Sequence, residues 1–140
     1  MKQFPNNLKF KKYHKVNRFF TVGKEKKVFF PLDGEYGLQC LEAGKLKFKQ
    51  IEACRRTIKR GLSKKDNLWI KIFTDAPVTK KASSSRMGKG KGSVSHWIAA
   101  VSKGQILFEI SISKINKALL ILKKAKSKLP IKTKFIKIIY

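Results

Sequence analysis

Apolar residues at Phe48, Ile51, Cys54, Ile58 and Leu62 recur every three or four positions, and that spacing predicts a helix over 47–62. Its opposite face carries Arg55, Arg56, Lys59 and Arg60, and Gly61 is placed to end it. A second stripe of Ile115, Ala118, Leu119, Leu122 and Ala125 predicts another helix, with Ser113 as N-cap and Pro130 as terminator. Leu68, Ile70 and Ile72 alternate with Trp69, Lys71 and Phe73, the period of a strand with one aromatic and basic face. Residues 94–101 and 105–110 read as two strands joined by Ser102-Lys103-Gly104, a hairpin signal. Short strands are expected at 28–30 and 36–41, the second broken by Gly44, and an edge-like strand at 132–139. Residues 77–92 lack large apolar residues apart from Val78 and Met87, so they read as a long loop.

Charge changes the picture most. The 140 residues hold 34 Lys and Arg against 8 Asp and Glu, a formal net charge of +26. An excess of that size needs a polyanion to offset its self-repulsion, with nucleic acid the usual one and a membrane surface the other candidate. The 42% hydrophobic share supports one real core, so the chain is not merely a basic tail. Two Cys exclude a disulfide scaffold and a zinc ribbon. No apolar run reaches the roughly 18–20 residues of a membrane span. Eight scattered acids leave little for carboxylate catalysis or a hard-metal site. Arg occurs only at 18, 55, 56, 60 and 86, which singles those five out from the flexible Lys background. The Lys, Ile, Phe and Asn bias looks like AT-rich coding of the kind found in organelle genomes.

Residues 1–27 carry nine basic residues against Glu25 and show no consistent period, so they read as an extended arm. One Arg, no Ser and Pro5 argue against a mitochondrial presequence, and no apolar stretch suggests a secretory leader. Phe10, Tyr13 and His14 interleave with Lys, so rings could stack on unpaired bases while Lys meets phosphate; some rings could instead anchor the arm to the core. The run Arg86-Met87-Gly88-Lys89-Gly90-Lys91-Gly92 alternates Gly with basic residues, which lets backbone N–H groups approach phosphate oxygens. It is out of register for a nucleotide-binding P-loop. Four cations on one helix face repel one another unless an anion sits there, and only Glu52 is near. Trp69 and Trp97 read as core or as a stacking platform. Cys40, Cys54, His14 and His96 have no metal-ligand spacing, and no nucleophile pair or paired acids suggest an enzyme.

Taken in order, the segments resemble a known family. These are Lys9-Phe10-Lys11-Lys12-Tyr13-His14-Lys15, Tyr36-Gly37-Leu38, Gln50-Ile51-Glu52-Ala53-Cys54-Arg55-Arg56 and Trp69-Ile70-Lys71-Ile72-Phe73 with Pro77-Val78-Thr79. The Arg86–Gly92 run, Trp97-Ile98-Ala99, Gly104-Gln105-Ile106-Leu107-Phe108-Glu109 and Lys128-Leu129-Pro130-Ile131-Lys132-Thr133-Lys134-Phe135 complete the set. The chain is thereby similar to large-subunit ribosomal protein L-sixteen and the related L-ten-e proteins over about residues 9–136, and closest in flavour to mitochondrial members. Departures are Val16-Asn17 where a Gly is usual, Lys47 where Thr often caps the first helix, Ala82-Ser83-Ser84-Ser85 before the glycine run, and Ser111-Ile112-Ser113 in place of an Asp-Gly turn.

The resemblance implies an α+β domain, an antiparallel sheet with two helices packed on one side, over 28–140, preceded by the basic arm over 1–27. It implies large-subunit rRNA, tRNA and neighbouring ribosomal proteins as partners, with no cofactor, no metal, no catalysis and no homo-oligomer. The rRNA contacts would fall to Lys9, Lys11, Lys12, Tyr13, His14, Lys15 and Arg18 on the arm, to Arg55, Arg56, Lys59 and Arg60 on the helix, and to Lys71. Arg86, Met87, Gly88, Lys89, Gly90, Lys91 and Gly92 would approach tRNA near the aminoacyl site and the peptidyl transferase centre. The organelle-like composition points to a mitochondrial genome and a matrix ribosome. A free-standing RNA-binding assembly factor or nucleic-acid chaperone is the alternative.

Overall fold

A computed structural model of the chain describes residues 2–14, 33–88 and 90–137. The expected strand at 28–30, together with Lys15, Arg18 and Lys89, lies outside them. Nine elements follow in order: β1 Tyr36–Cys40, β2 Gly44–Lys47, α1 Phe48–Gly61, β3 Asn67–Ile70, β4 Ala76–Lys80, β5 Ser93–Val101, β6 Ile106–Ser111, α2 Ile115–Lys126 and β7 Thr133–Lys137. The fold is α+β, as the resemblance implied, but the strands form two antiparallel sheets rather than one. The larger runs β3-β6-β1-β7 and the smaller β2-β5-β4.

The expected hairpin therefore does not close. Residues 102–105 do turn, with Gly104 at φ +87 and Gln105 donating its N–H to the Ser102 carbonyl at 3.2 Å. But the end of β1 claims that turn. Gly104 N–H donates to the Cys40 carbonyl at 2.8 Å, and Cys40 N–H to the Gln105 carbonyl at 2.9 Å. The Gln39 amide adds a bond to the Gly104 carbonyl at 2.6 Å. The chain leaves the turn alongside β1, so β5 becomes the middle strand of the smaller sheet and β6 an inner strand of the larger one.

Two other expectations shift. Gly44 starts β2 instead of breaking a strand, and Ala76–Lys80 is a strand at the edge of the smaller sheet. Pro77 hides that strand in the sequence, since Pro is tolerated only where one side needs no ladder bond. The last strand is an edge, as its Lys-rich alternation suggested.

The α1 stripe holds, with Ile51, Cys54 and Ile58 buried. In α2 the buried face is rotated from the expected one: Ala118, Leu122 and Ala125 are buried with Ile121, while Ile115 and Leu119 stand 40% and 41% exposed on its rim. They share one core with Leu38 of β1, Leu46 of β2, Ala99 of β5 and Leu107, Phe108 and Ile110 of β6. The Cys54 thiol lies 3.7 Å from the Ala125 carbonyl, where the helices meet. Lys47 cannot cap α1 as Thr would, but its N–H donates to Gln50 Oε1 at 2.9 Å, half of a capping box. The second helix starts one residue later than expected, with Lys114 rather than Ser113 at the N-cap position.

Candidate nucleic-acid interface

Strand and helix positions sort the expected cations into three settings. On α1 the predicted basic face exists, but its charges are not equivalent. Glu52 accepts from Arg55 Nε at 2.9 Å and Nη2 at 2.7 Å, and from Arg56 Nε at 3.1 Å. The Arg55 hydrogen bonds draw the Glu52 carboxyl down to about 2, and Glu52 in turn raises Arg55. Both arginines are thus held in fixed orientation by one shared acid. Lys59 and Arg60, one turn on, are exposed and have no ion pair among the described residues. An anion landing on this face meets two oriented guanidiniums and two mobile cations.

Lys71 sits differently. It contacts the Asp33 carboxylate and lies 3.6 Å from Glu109 Oε2. The hydrogen bond to Asp33 raises its pKa. Glu109 is 1% exposed and also accepts from Asp33 N–H at 2.9 Å and Gly34 N–H at 3.2 Å. A Cβ on Gly34 would come within 2.9 Å of the Ile110 backbone, so the turn at 33–34 seats directly on β6. Much of the Lys71 charge is spent holding that turn.

The third setting joins the arm to the glycine-lysine loop. Phe4 stacks on Trp97 of β5 with ring centroids 5.7 Å apart, and the Thr74 hydroxyl donates to the Gln3 carbonyl at 2.5 Å. Trp97 is buried, so it serves both as core and as the arm's platform. Further along, Lys12 Nζ donates to the Lys91 carbonyl at 3.3 Å and Lys91 Nζ to the Tyr13 carbonyl. Lys9, Lys11, Lys12 and His14 are exposed, and so are the rings of Phe10 and Tyr13. Lys9 Nζ lies 5.8 Å from the Phe10 centroid.

The loop over 81–92 is short of packing but not shapeless. Lys81 Nζ donates to the Gly88 carbonyl at 2.5 Å, and Gly88 and Gly90 take φ of +92 and +76. Those values are open to Gly and strained for other residues. The loop curls around an open hollow of about 460 Å³ lined by Lys80, Lys81, Arg86 and Lys91. Met87 stands 97% exposed beside Arg86. Cations and free backbone in a concave loop suit phosphate oxygens.

Sequence reasoning missed Phe4, the arm's anchor, because one aromatic in a polar segment carries no period. Among the described residues no cluster of His, Cys, Asp and Glu is suited to a metal ion, and no helix is long and apolar enough to cross a membrane. Burial pushes both thiols, Cys40 and Cys54, up to about 12.

Comparison with known proteins gives a consistent match. The family described as ribosomal protein L16p/L10e matches residues 5–136. The chain is 45% identical over 133 residues to "Large ribosomal subunit protein uL16" of Buchnera aphidicola subsp. Baizongia pistaciae (strain Bp), covering 94% of each chain. It is 44% identical over 125 residues to the protein of that name from Protochlamydia amoebophila (strain UWE25), covering 89% of this chain and 90% of that one. "Large ribosomal subunit protein uL16c" of Thalassiosira pseudonana is 46% identical over 132 residues, 94% of each chain.

Proposed function

The chain belongs to the ribosomal protein L16p/L10e family, and from that premise we propose that it is a structural constituent of a large ribosomal subunit, held there by rRNA. Its relatives are ribosomal proteins rather than enzymes. The observation that carries the reading is the collinear family match over residues 5–136. The layout of cations supports it: an oriented arginine pair on α1, exposed Lys9, Lys11 and Lys12 in the segment whose Phe4 stacks on Trp97, and the cations around the hollow of the glycine-lysine loop. Lys9, Lys11, Lys12, Lys15 and Arg18, with Tyr13 and His14, bind rRNA through the arm; Arg55, Arg56, Lys59 and Arg60 dock α1 on folded rRNA. Arg86–Gly92 face tRNA near the aminoacyl site and the peptidyl transferase centre. Lys71 contributes by holding the 33–34 turn in place and adds any rRNA contact second. The AT-like residue bias supports a mitochondrial ribosome encoded by the organelle's own genome.

The test is sedimentation. A mitochondrial lysate is washed in high salt, run on a gradient, and the chain located by mass spectrometry. Stoichiometric co-migration with the large subunit is the expected outcome. Release to the top of the gradient would favour a free-standing, salt-sensitive RNA-binding assembly factor instead, since purely electrostatic attachment falls steeply with salt.

A further inference from the structure

Among the described residues, strand β3 ends the larger sheet and pairs only with β6. Just past it, Lys71 donates its N–H to the Leu107 carbonyl at 3.0 Å, which sets the phase of the ladder. Asn67, Trp69 and Lys71 turn their backbone groups toward β6, while Leu68 and Ile70 turn theirs outward. Among the described residues no backbone segment takes up those outward groups. Beside this edge runs an open groove of about 550 Å³, walled by Arg55 and Lys59 of α1 on one side and by Asn67, Leu68 and Ile70 on the other.

The two walls have different chemistry. Arg55 is held by Glu52 through Nε and Nη2, which leaves its Nη1 side for an anion, and Lys59 is exposed next to it. Asp66 also lines the groove, but its carboxylate accepts from Ser63 N–H at 2.8 Å and from Lys117 at 3.3 Å, so its charge is balanced. Leu68 and Ile70 give an apolar surface, and the Asn67 amide adds a donor and an acceptor. The volume is that of a small-ligand cleft, about 300–1,000 Å³. It is too small for a duplex.

We propose that this groove holds one unpaired nucleotide of the bound RNA. Its phosphate would meet Arg55 and Lys59. Its base would lie on Leu68 and Ile70, with its edge hydrogen-bonded by the outward backbone of β3 and by Asn67. Splayed single nucleotides are read in this way, by a face, an edge and a phosphate at once. The proposal rests on the ribosomal reading above and adds a defined subsite to it.

Large subunits carrying the chain are irradiated with ultraviolet light and digested with trypsin and ribonuclease. The peptide Asp66–Lys71 should carry a single-nucleotide adduct, placed by fragmentation on Asn67, Leu68 or Ile70; an adduct on Trp69 alone, on the other face of the strand, overturns the site. In subunits with Asn67→Asp, which sets a carboxylate in the groove at an exposed position, the adduct should fall several-fold. One rRNA nucleotide should become several-fold more reactive to chemical probing in subunits that contain the variant. If that variant does not incorporate, the wild-type adduct decides alone. Absence of both adduct and reactivity change overturns the site. A cross-link from this peptide to a neighbouring protein also overturns it, because the β3 edge would then be adding a strand. Absence of the wild-type chain from the subunit instead defeats the ribosomal reading, and the site falls with it.

Discussion

Thr133 of β7 is 1% exposed, and its hydroxyl has no hydrogen-bond partner among the described residues. It stands opposite Cys40 in the ladder between β1 and β7, next to the shared core. A buried hydroxyl left without a partner costs about 1–3 kcal/mol in proteins. Val has the same shape, lacks the hydroxyl and is at least as well suited to a strand. Thr133→Val should therefore stabilise the fold by about 1–2 kcal/mol. At about 2–4 °C per kcal/mol for a domain near this size, the midpoint should rise by roughly 2–8 °C. Thr133→Ser keeps the hydroxyl and removes a methyl, which costs about 0.8 kcal/mol or more, so its midpoint should fall. Thermal and urea unfolding of the purified full chain, followed by circular dichroism, places the three proteins in the order Val, Thr, Ser. A Val variant at or below wild type would refute the argument, since the hydroxyl must then be hydrogen-bonded. Because the side chain is buried within the chain, neither variant should change entry into the subunit.

Reversing Arg55 and Arg56 to Glu should block incorporation, and Lys59→Glu with Arg60→Glu should do so while leaving the Glu52 pairs intact; the fraction of chain in the large-subunit peak reads both, and normal incorporation of both variants would sink the docking role of α1. Shortening the run Gly88–Gly92 should leave assembly largely intact and lower tRNA binding or peptide transfer, whereas unchanged translation would make the loop a spacer. The Glu52 carboxyl is held at about 2 against an ordinary 4.5, a depressed acid. Its stabilising contribution is complete above about 4.5 and is lost as pH falls toward 2. The stability gap between wild type and Glu52→Gln should accordingly be constant above pH 4.5 and close as pH falls toward 2, and a gap that stays constant would mean the two arginines do not set this group's charge.

Sequence by itself determined the helices, the charge and the family. The stripes of α1 and α2 are properties of residue spacing, since a period near 3.6 can bury only one face. Leu68, Ile70 and Ile72 likewise face the core as their alternation required. The ordered segments from Lys9 to Phe135 carried the family because a collinear set specifies what no single motif can. Pairing was decided elsewhere. Which strand lies beside which depends on backbone groups far apart in the chain, and here Cys40 takes the Gly104–Gln105 turn and sends β5 and β6 to different sheets. Only the tertiary structure divided the cations by role. Lys71 looked like a surface base until Asp33 and Glu109, 38 residues away on either side, closed on it. Glu52 looked too isolated to matter until it fixed two arginines at once. Charge is written in the sequence, but which charge remains free for a partner depends on the distances that folding sets.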